Sequence, residues 1–537
     1  MSGKKLLLPA AGAAVLVAGG AAAYWYFKGP AVDGTTPLAI AKTIPDEAYM
    51  TAFVSSDLRT WAKLQEFGTP EAKDAVTKGL ASIDQDLLSK NQISFEKDIR
   101  PWLGNGMIAL LPGGKDMTQP EVLAVFSIRD KVSALQFAGK LASQGGKGTE
   151  KEYKGNKIFI SEDGQTHATV VNDFLMVGSS QPTIEAAINT NQGEPSLASK
   201  PEAEALFTQG VDLNNAIAYV YMPDYAGSME QLINAAGEEA PDTDLSQLKN
   251  IRSIVAGIGV DDAGIRMKAI ANMSPNAPKF DYQPVPGKVI SRFPSDVIMM
   301  ISGGNLNRIW TQAVEQIKTD KTAQQGLDEM RKAAQTVNLD LDKDIFSWMD
   351  GEFGMAMIPS DRGILAQVGF GSALVFNTSD RKTAEATLTK LDAVAKSNSL
   401  LVQKRDVQGK QVTEWSTPMV PGALLGHGWL DDGSLFVALG GPMVDVITTQ
   451  PNPALDANPN FKAATGNLTA KNLGYFYLDM DKTMTLFNRF AALSGQTMLP
   501  PEPLAIANSI KGIGMTSSQV DGSTGQMDMI VALKKSK

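Results

Sequence analysis

The feature of this chain that most constrains its fold is a seven-residue motif that occurs twice. Residues 96–102 read EKDIRPW, and residues 342–348 read DKDIFSW, 246 positions later. Further matches keep the same order on both sides. For example, PDEAYMTAFVSSDLRTW at 45–61 aligns without a gap with PSDVIMMISGGNLNRIW at 294–310. One matching heptad can arise by chance, but a collinear series cannot. Because the period far exceeds that of solenoids and propellers, the sequence predicts tandem duplication of a whole domain.

The matched segments also indicate the fold of each half. Short strands rich in β-branched and aromatic residues alternate with amphipathic helical patterns, and hairpin signals such as Asn172-Asp173 join neighbouring strands directly. Direct hairpins require antiparallel pairing. We therefore predict an α+β fold, in which an N-terminal transmembrane helix is followed by two tandem homologous domains, each a mostly antiparallel sheet covered by helices.

The duplication sets the predicted domain boundaries. We expect a signal anchor at 1–28, a tether at 29–44, repeat domain A at 45–273, a proline-rich linker at 274–293 and repeat domain B at 294–537. The length of 537 residues agrees with two domains, because single cores stop growing at about 250–300 residues.

The N-terminal segment has a composition of its own. Lys4 and Lys5 precede 22 uncharged residues, Leu6–Phe27, and Lys28 follows them. As a helix this run would be about 33 Å long, enough to cross a hydrocarbon core of about 30 Å. An uncleaved anchor is favoured over a cleaved signal peptide, whose apolar core would be shorter. Both interpretations place the N-terminus in the cytoplasm and the remaining chain outside it.

Composition excludes several classes of function. A net charge of −9, with Lys and Arg scattered along the chain, argues against a nucleic-acid partner. The absence of Cys removes thiolate metal sites and thiol nucleophiles. The sequence predicts no cofactor and no metal site.

Two histidines, His167 and His427, are the first candidate binding residues. They lie 260 positions apart, the same offset that aligns Pro182 with Pro442, so we predict equivalent places in the two domains. A functional interpretation makes them ligand contacts or pH-sensitive hydrogen bonds. The alternative, which is favoured, is an inherited strand histidine with a backbone partner.

Two tryptophans, Trp415 and Trp429, complete the candidate set. They have no counterparts in domain A, so the segment EWSTPMVPGALLGHGWLDDG at 414–433 is where a binding site specific to domain B would lie. Four other tryptophans recur in both domains and are predicted to be core residues, since large aromatic rings usually pack inside: Trp61 with Trp310, and Trp102 with Trp348.

No catalytic motif emerges. Within the acidic run NLDLDKDIFSWMDGE at 338–352, Asp340, Asp342 and Asp344 alternate as in a calcium loop that begins at Asp340. The sixth position of such a loop would be Ile345 instead of Gly, and the twelfth would be Gly351 instead of Glu. We interpret the run as the negatively charged start of a helix. The sequence contains no P-loop and no nucleophile elbow. It leaves open a pair of catalytic carboxylates.

The stretch AKTIPDEAYMTAFVSSDLRTWAKLQEFGTPEA at 41–72, the EKDI..W motif and the apolar N-terminus together resemble the domain-of-unknown-function family 3352. The resemblance covers essentially the whole chain after the N-terminal segment. It implies a membrane-anchored, largely cyanobacterial protein in the thylakoid lumen or periplasm, with no assigned activity and no catalytic residues to carry over.

Three functions remain. The favoured one is a membrane-anchored, non-catalytic binding or assembly protein, with a membrane-protein complex as its partner. The second is a binder of an apolar ligand, lipid or pigment, motivated by the 23 methionines, several of them on predicted strands (Met299, Met300, Met355, Met357). The third is a carboxylate-dependent hydrolase.

Overall fold

The chain divides into two compact units. In the computed structural model, unit 1 comprises Met1–Ala277, Ser523–Gln526 and Lys535–Lys537, and unit 2 comprises Pro278–Gly522 and Met527–Lys534. The structure describes the following residues: 35–56, 61–83, 93–113, 120–143, 148–200, 202–203, 213, 216–236, 246–277, 282–318, 321–363, 365–494 and 500–536.

Unit 1 alternates helices with antiparallel strands. Its described helices and strands are α1 (Pro37–Ala41), β1 (Met50–Val54), α2 (Pro70–Ile83), β2 (Leu103–Leu111), β3 (Glu121–Ile128), α3 (Lys131–Ser143), β4 (Thr149–Tyr153), β5 (Asn156–Ile160), β6 (His167–Val171), β7 (Phe174–Gly178), α4 (Gln181–Asn191), β8 (Ala216–Met222), α5 (Tyr225–Ala236), β9 (Ile251–Val260) and β10 (Gly264–Met273).

Unit 2 continues in the same manner, and of the last strand, the part from Met527 onward belongs to it. Its helices and strands are β11 (Met299–Gly304), α6 (Leu306–Ile317), α7 (Lys321–Thr336), β12 (Glu352–Pro359), α8 (Leu365–Val368), β13 (Phe370–Asn377), α9 (Arg381–Ser397), β14 (Leu401–Val407), β15 (Lys410–Thr417), β16 (Val420–Trp429), β17 (Ser434–Leu439), α10 (Gly441–Thr448), α11 (Pro459–Thr465), β18 (Tyr475–Asp479), α12 (Met480–Ser494), α13 (Pro501–Asn508), β19 (Ile510–Asp521) and β20 (Thr524–Leu533).

The strands pair antiparallel, in corresponding orders in the two units. In unit 1 the order across the sheet is β4-β5-β6-β7-β3-β2-β1-β8-β9-β10. In unit 2 it is β14-β15-β16-β17-β13-β12-β11-β18-β19. Successive side chains on a strand point to opposite faces, so each register fixes which residues share a face.

Apolar residues pack on both faces of the sheet in unit 1. One core cluster includes Met107, Val125 and Ile184 and lies on the side of α4, while another includes Trp102, Phe137 and Leu175 on the side of α3. These clusters provide the burial that outweighs the conformational entropy of the ordered chain.

Corresponding residues of the two units cap helices and close hairpins. Asp130 and Asp380 directly precede α3 and α9, and each carboxylate accepts a hydrogen bond from a backbone amide of the first helical turn. Gly155 and Gly409 have φ of 77° and 80° in the hairpin turns β4–β5 and β14–β15, conformations that favour glycine.

The tryptophan prediction is confirmed at three of the four repeated positions. Trp61, Trp102 and Trp348 are buried. Trp310 is only partly buried: its ring stacks on Phe346 with centroids 4.1 Å apart.

The predicted fold class is wrong. It placed a transmembrane helix before two tandem homologous domains made from consecutive stretches of chain. None of the described helices is long and apolar enough to span a membrane, and the predicted anchor at 1–28 lies outside the described residues.

Unit 1 is also discontinuous, because it includes Ser523–Gln526 and Lys535–Lys537 from the C-terminal region. Long-range backbone bonds cause this: the Met273 amide donates to the Ser523 carbonyl over 2.8 Å. Local sequence similarity carries no information about such bonds. The boundaries at 45–273 and 294–537 stay predictions.

Candidate functional site

One carboxylate joins two of the predicted binding residues in unit 2. Trp415 on β15 lies opposite Leu425 on β16, and His427 follows two residues later, so both rings lie on the same sheet face. Helix α9 crosses this face and presents Asp392. Its Oδ1 accepts from Trp415 Nε1 over 2.7 Å and lies 2.8 Å from His427 Nε2. The two rings meet edge to face, with centroids 6.0 Å apart.

This cluster is largely closed to solvent. His427 is 5% exposed, and the Asp392 side chain is 21% exposed. The indole N–H and the imidazole Nε2 therefore already have a partner within the unit, which leaves them little capacity to hold a ligand. The arrangement secures α9 to the sheet.

Trp429, the third candidate in unit 2, plays a similar part at the other end of α9. It lies two residues after His427 on the same face, and the Arg381 guanidinium stacks 4.3 Å from its ring centroid. Arg381 is the first residue of α9 and also pairs with Glu385 over 2.7 Å. The helix is thus attached to β16 near both of its ends.

His167 has a different environment in unit 1. Its side chain is 6% exposed, and Nδ1 has no hydrogen-bond partner among the described residues. Burial lowers the pKa of His167, and the nearby Glu121 carboxylate opposes this only partly.

The two histidines do not occupy equivalent places. His427 lies opposite Val437, whereas in unit 1 the residue opposite Val177 is Ala168, and His167 lies opposite Gly178. Val177 on β7 and Val437 on β17 occupy corresponding registers, because they pair with Ala124 on β3 and Leu374 on β13. A slip of one residue turns a side chain to the other sheet face, so His167 faces α4 whereas His427 faces α9.

The repeated heptad forms a π-helical turn at Phe95–Ile99 in unit 1 and at Leu341–Phe346 in unit 2. In unit 2, Asp344 Oδ2 accepts from the Asp340 amide over 2.8 Å and from Lys390 Nζ on α9 over 2.7 Å. The Asp344 carbonyl accepts from Trp348 Nε1 over 2.9 Å. The hydrogen bond from Lys390 is the main cause that lowers the pKa of Asp344.

Unit 1 repeats these contacts. Asp98 Oδ2 accepts from the Ser94 amide and from Lys140 Nζ on α3, each over 2.6 Å. The Asp98 carbonyl accepts from Trp102 Nε1 over 2.7 Å. The acidic character of the motif therefore serves to close a turn and hold a helix. Within the described ranges, no group of three or more His, Asp or Glu side chains could hold a metal ion.

The most unusual surface is one face of the sheet in unit 2, which we name the methionine face. Antiparallel sheets commonly alternate apolar residues inside with polar residues outside. Here the inner face is buried, as Met300, Ala356 and Tyr477 show, yet the opposite face is also apolar. Its residues are partly exposed: Met299, Ile301, Phe353, Met355, Met357, Leu374, Phe476, Leu478, Ile513 and Met515.

The registers place all of these side chains except Phe353 in two continuous rows. Ile513, Leu478, Met299 and Met357 lie side by side across four strands. The second row consists of Met515, Phe476, Ile301, Met355 and Leu374. Neither row contains a charged side chain. Of the four methionines that motivated the apolar-ligand hypothesis, Met299, Met355 and Met357 lie in these rows. Met300 points to the buried face instead.

The family model "Protein of unknown function (DUF3352)" matches residues 10–533, and the chain belongs to this family. No curated protein matches the chain.

Crystal form I of TP0453 is similar with a TM-score of 0.27 and 10% identity, over 45% of this chain and 80% of that chain. Crystal form IV of TP0453 gives a TM-score of 0.28 and 11% identity, over 45% and 87%. Similarity this low supports no conclusion about fold or function.

Proposed function

We propose that the chain is a non-catalytic binding protein, and that unit 2 takes an apolar ligand of the lipid or pigment type on the methionine face. The single observation that carries this proposal is the pair of uncharged, partly exposed rows on a sheet whose other face already forms the core. A second apolar face of this kind costs free energy in water unless something covers it.

The degree of exposure favours a slender ligand over a folded protein. Side chains on the methionine face are half-buried, and none is exposed. A flat protein interface would need a fully open surface, whereas an acyl chain or a polyene can lie along a row. Met299, Met355, Met357 and Met515 are unbranched and polarizable, so they adapt to ligands of irregular shape.

A fluorescence titration with the neutral apolar probe N-phenyl-1-naphthylamine tests this function. We expect saturable binding to the intact chain and at least about tenfold weaker binding to Met355→Glu, because a carboxylate on the row must be desolvated. Gln403→Glu, which adds the same charge on the exposed edge strand β14, should bind as the unsubstituted chain does. Equal binding by both variants, or none by the unsubstituted chain, would contradict the proposal.

We also propose that the chain functions outside the cytoplasm, at a membrane, in a thylakoid lumen or periplasm. The support is the uncharged run Leu6–Phe27 after Lys4 and Lys5. If the chain is periplasmic, external protease should degrade it in osmotically opened cells but leave it intact in cells with a closed envelope. If it lies in a thylakoid lumen, it should resist protease on intact isolated thylakoids and be degraded once these are opened. Degradation on intact thylakoids, together with protection in osmotically opened cells, would disprove a location outside the cytoplasm.

A second candidate function, assembly of a membrane-protein complex, is favoured by a different surface. Helix α12 packs against α13, and the two expose Phe490, Leu493 and Ile506, with Leu493 70% exposed. Exposed apolar patches are typical of partner contacts. Leu493→Asp should abolish recovery of a reproducible partner from detergent-solubilised membranes, while Gln403→Glu should retain it.

A further inference from the structure

Unit 2 also contains a polar cleft of about 780 Å³. Its volume is within the range of about 300–1,000 Å³ that small-molecule sites occupy. Such sites are usually lined by apolar side chains. This one is lined only by glycines and by polar or charged residues, which come from five separate segments of the chain.

The cleft is on the opposite side of the sheet from the methionine face. One wall is the 3-10 helix Lys288–Arg292, whose Val289 lies against Gly354 on the buried face of β12. An apolar ligand on the methionine face and a ligand in the cleft would therefore occupy separate sites.

A hydrogen-bonded network organises the floor of the cleft. The Arg292 guanidinium donates through Nη2 to Asp431, and the same nitrogen lies 3.4 Å from Ser434 Oγ. Ser434 Oγ in turn donates to Asn377 Oδ1 over 3.0 Å. Ser434 is 4% exposed, so the network is fixed before any ligand arrives.

The same network leaves donors free. Among the hydrogen bonds of the described residues, Asn377 uses only Oδ1, and Arg292 uses only Nη2 for its side-chain contacts. The Asn377 amide N–H groups and the Arg292 Nε and Nη1 groups can therefore donate to a ligand. The side chains of Lys288 and Asp456, also in the lining, are exposed and have no partner among the described residues.

The charges of the lining exclude strongly ionic ligands. Arg292 is neutralised by Asp431, and a further two carboxylates, Asp350 and Asp456, oppose an anion. Lys288 opposes a cation. In the described ranges, no group of three or more Asp, Glu or His side chains could hold a metal ion. A neutral ligand whose groups both donate and accept hydrogen bonds meets all of these conditions, and hydroxyl groups do so.

We propose that this cleft binds a neutral, polyhydroxylated ligand of the saccharide class. Asn377 and Arg292 donate to ring or hydroxyl oxygens, and Asp456 accepts from a hydroxyl group. The inference does not depend on the proposed apolar-ligand function.

Saturation-transfer NMR on the intact chain, with maltose, lactose and sucrose as probes, tests the site. We expect transfer to at least one of these neutral disaccharides and weaker transfer to glucuronate and glucosamine. Asn377→Ala should weaken binding about tenfold, since the lost donor is one that no other group replaces. Gln403→Ala on the distant edge strand β14 should leave binding unchanged.

Three results would overturn the proposal: no transfer to any neutral disaccharide, stronger transfer to a charged sugar, or full binding by Asn377→Ala. If Asn377→Ala fails to fold, Lys288→Ala decides the matter, because the exposed side chain of Lys288 loses no hydrogen bond or ion pair with the described residues. Its substitution should then change the preference between neutral and charged sugars. An unchanged preference would count against the site.

Discussion

Asp392 shows how a single side chain can determine whether its neighbours are free to bind. Its Oδ1 accepts from Trp415 and lies within hydrogen-bonding distance of His427, and all three belong to one half-buried cluster. Buried polar groups must have partners, because an unpaired one costs about 1–3 kcal/mol. The carboxylate therefore fulfils a structural requirement of both rings.

Asp392→Ala should lower the free energy of unfolding by about 1–3 kcal/mol, because it leaves the Trp415 indole N–H and the His427 ring without a partner. Urea unfolding followed by tryptophan fluorescence measures the change. Asp361→Ala, at an exposed position, is the matched control. A midpoint for Asp392→Ala equal to that of the control would show that the cluster does not stabilise unit 2.

His167 should titrate below the ordinary histidine pKa of about 6.5, since burial disfavours its charged form. The unfolded chain then binds more protons than the folded chain. The contribution of His167 to stability is complete above the ordinary pKa and is lost as the pH falls through the lowered value. With only two histidines in the chain, ring NMR signals give two curves, and His167→Gln assigns them.

Titration of the His167 signal at or above the ordinary value would contradict this prediction. In that case the Nδ1 atom, which has no partner among the described residues, must acquire one when protonated. Urea midpoints at two pH values provide an independent check. The difference between pH 7.5 and pH 5 should be smaller in His167→Gln than in the unsubstituted chain.

At the residue level, the sequence identified residue types that meet in the candidate site, but not the sheet face on which each side chain lies. The equal offset of 260 between His167 and His427 indicated equivalent places, but strand register places them on opposite faces. A gap of one residue changes an alignment very little, but in a strand it moves each side chain to the opposite face of the sheet. Asp392 and Arg381 were missed because helix residues that contact a sheet face leave no local motif.

Among the secondary-structure elements, the π-helical turn is the part of the fold that the sequence indicated best. Asp98 closes a turn and holds Lys140 of α3, and Asp344 does the same with Lys390 of α9. Trp102 donates to the Asp98 carbonyl, and Trp348 donates to the Asp344 carbonyl. A motif of Asp and Trp four residues apart could be recognised because the hydrogen bonds that close the turn are local. The lysine partner could be identified only from the structure, because it lies far along the chain from the motif.

The ion pair between Asp344 and Lys390 should contribute about 1 kcal/mol or less, because the Lys390 side chain is 39% exposed and water screens the pair. A double-mutant cycle with Asp344→Ala and Lys390→Ala measures this coupling. The coupling should be present at neutral pH and be lost as the pH falls through the lowered pKa of Asp344. A coupling that is absent at neutral pH would contradict the account of the turn.

For the whole molecule, the decisive property is a sheet in unit 2 that is apolar on both faces. The strand EFGMAMIP at Glu352–Pro359 shows this in its sequence, because both alternating sets of residues are apolar apart from Glu352 at its start. Sequence alone could not tell which set forms the core. The structure resolves the question, since Ala356 and Ile358 are buried whereas Phe353, Met355 and Met357 are partly exposed.

Methyl NMR of ¹³C-methyl-methionine protein decides whether the methionine face of unit 2 binds an apolar ligand, as we propose. On addition of N-phenyl-1-naphthylamine, we expect shifts for Met299, Met355, Met357 and Met515. Met300, the neighbour of Met299 on the opposite, fully buried face, should not shift. Shifts confined to other methionines, or no shifts at saturating probe, would contradict the claim.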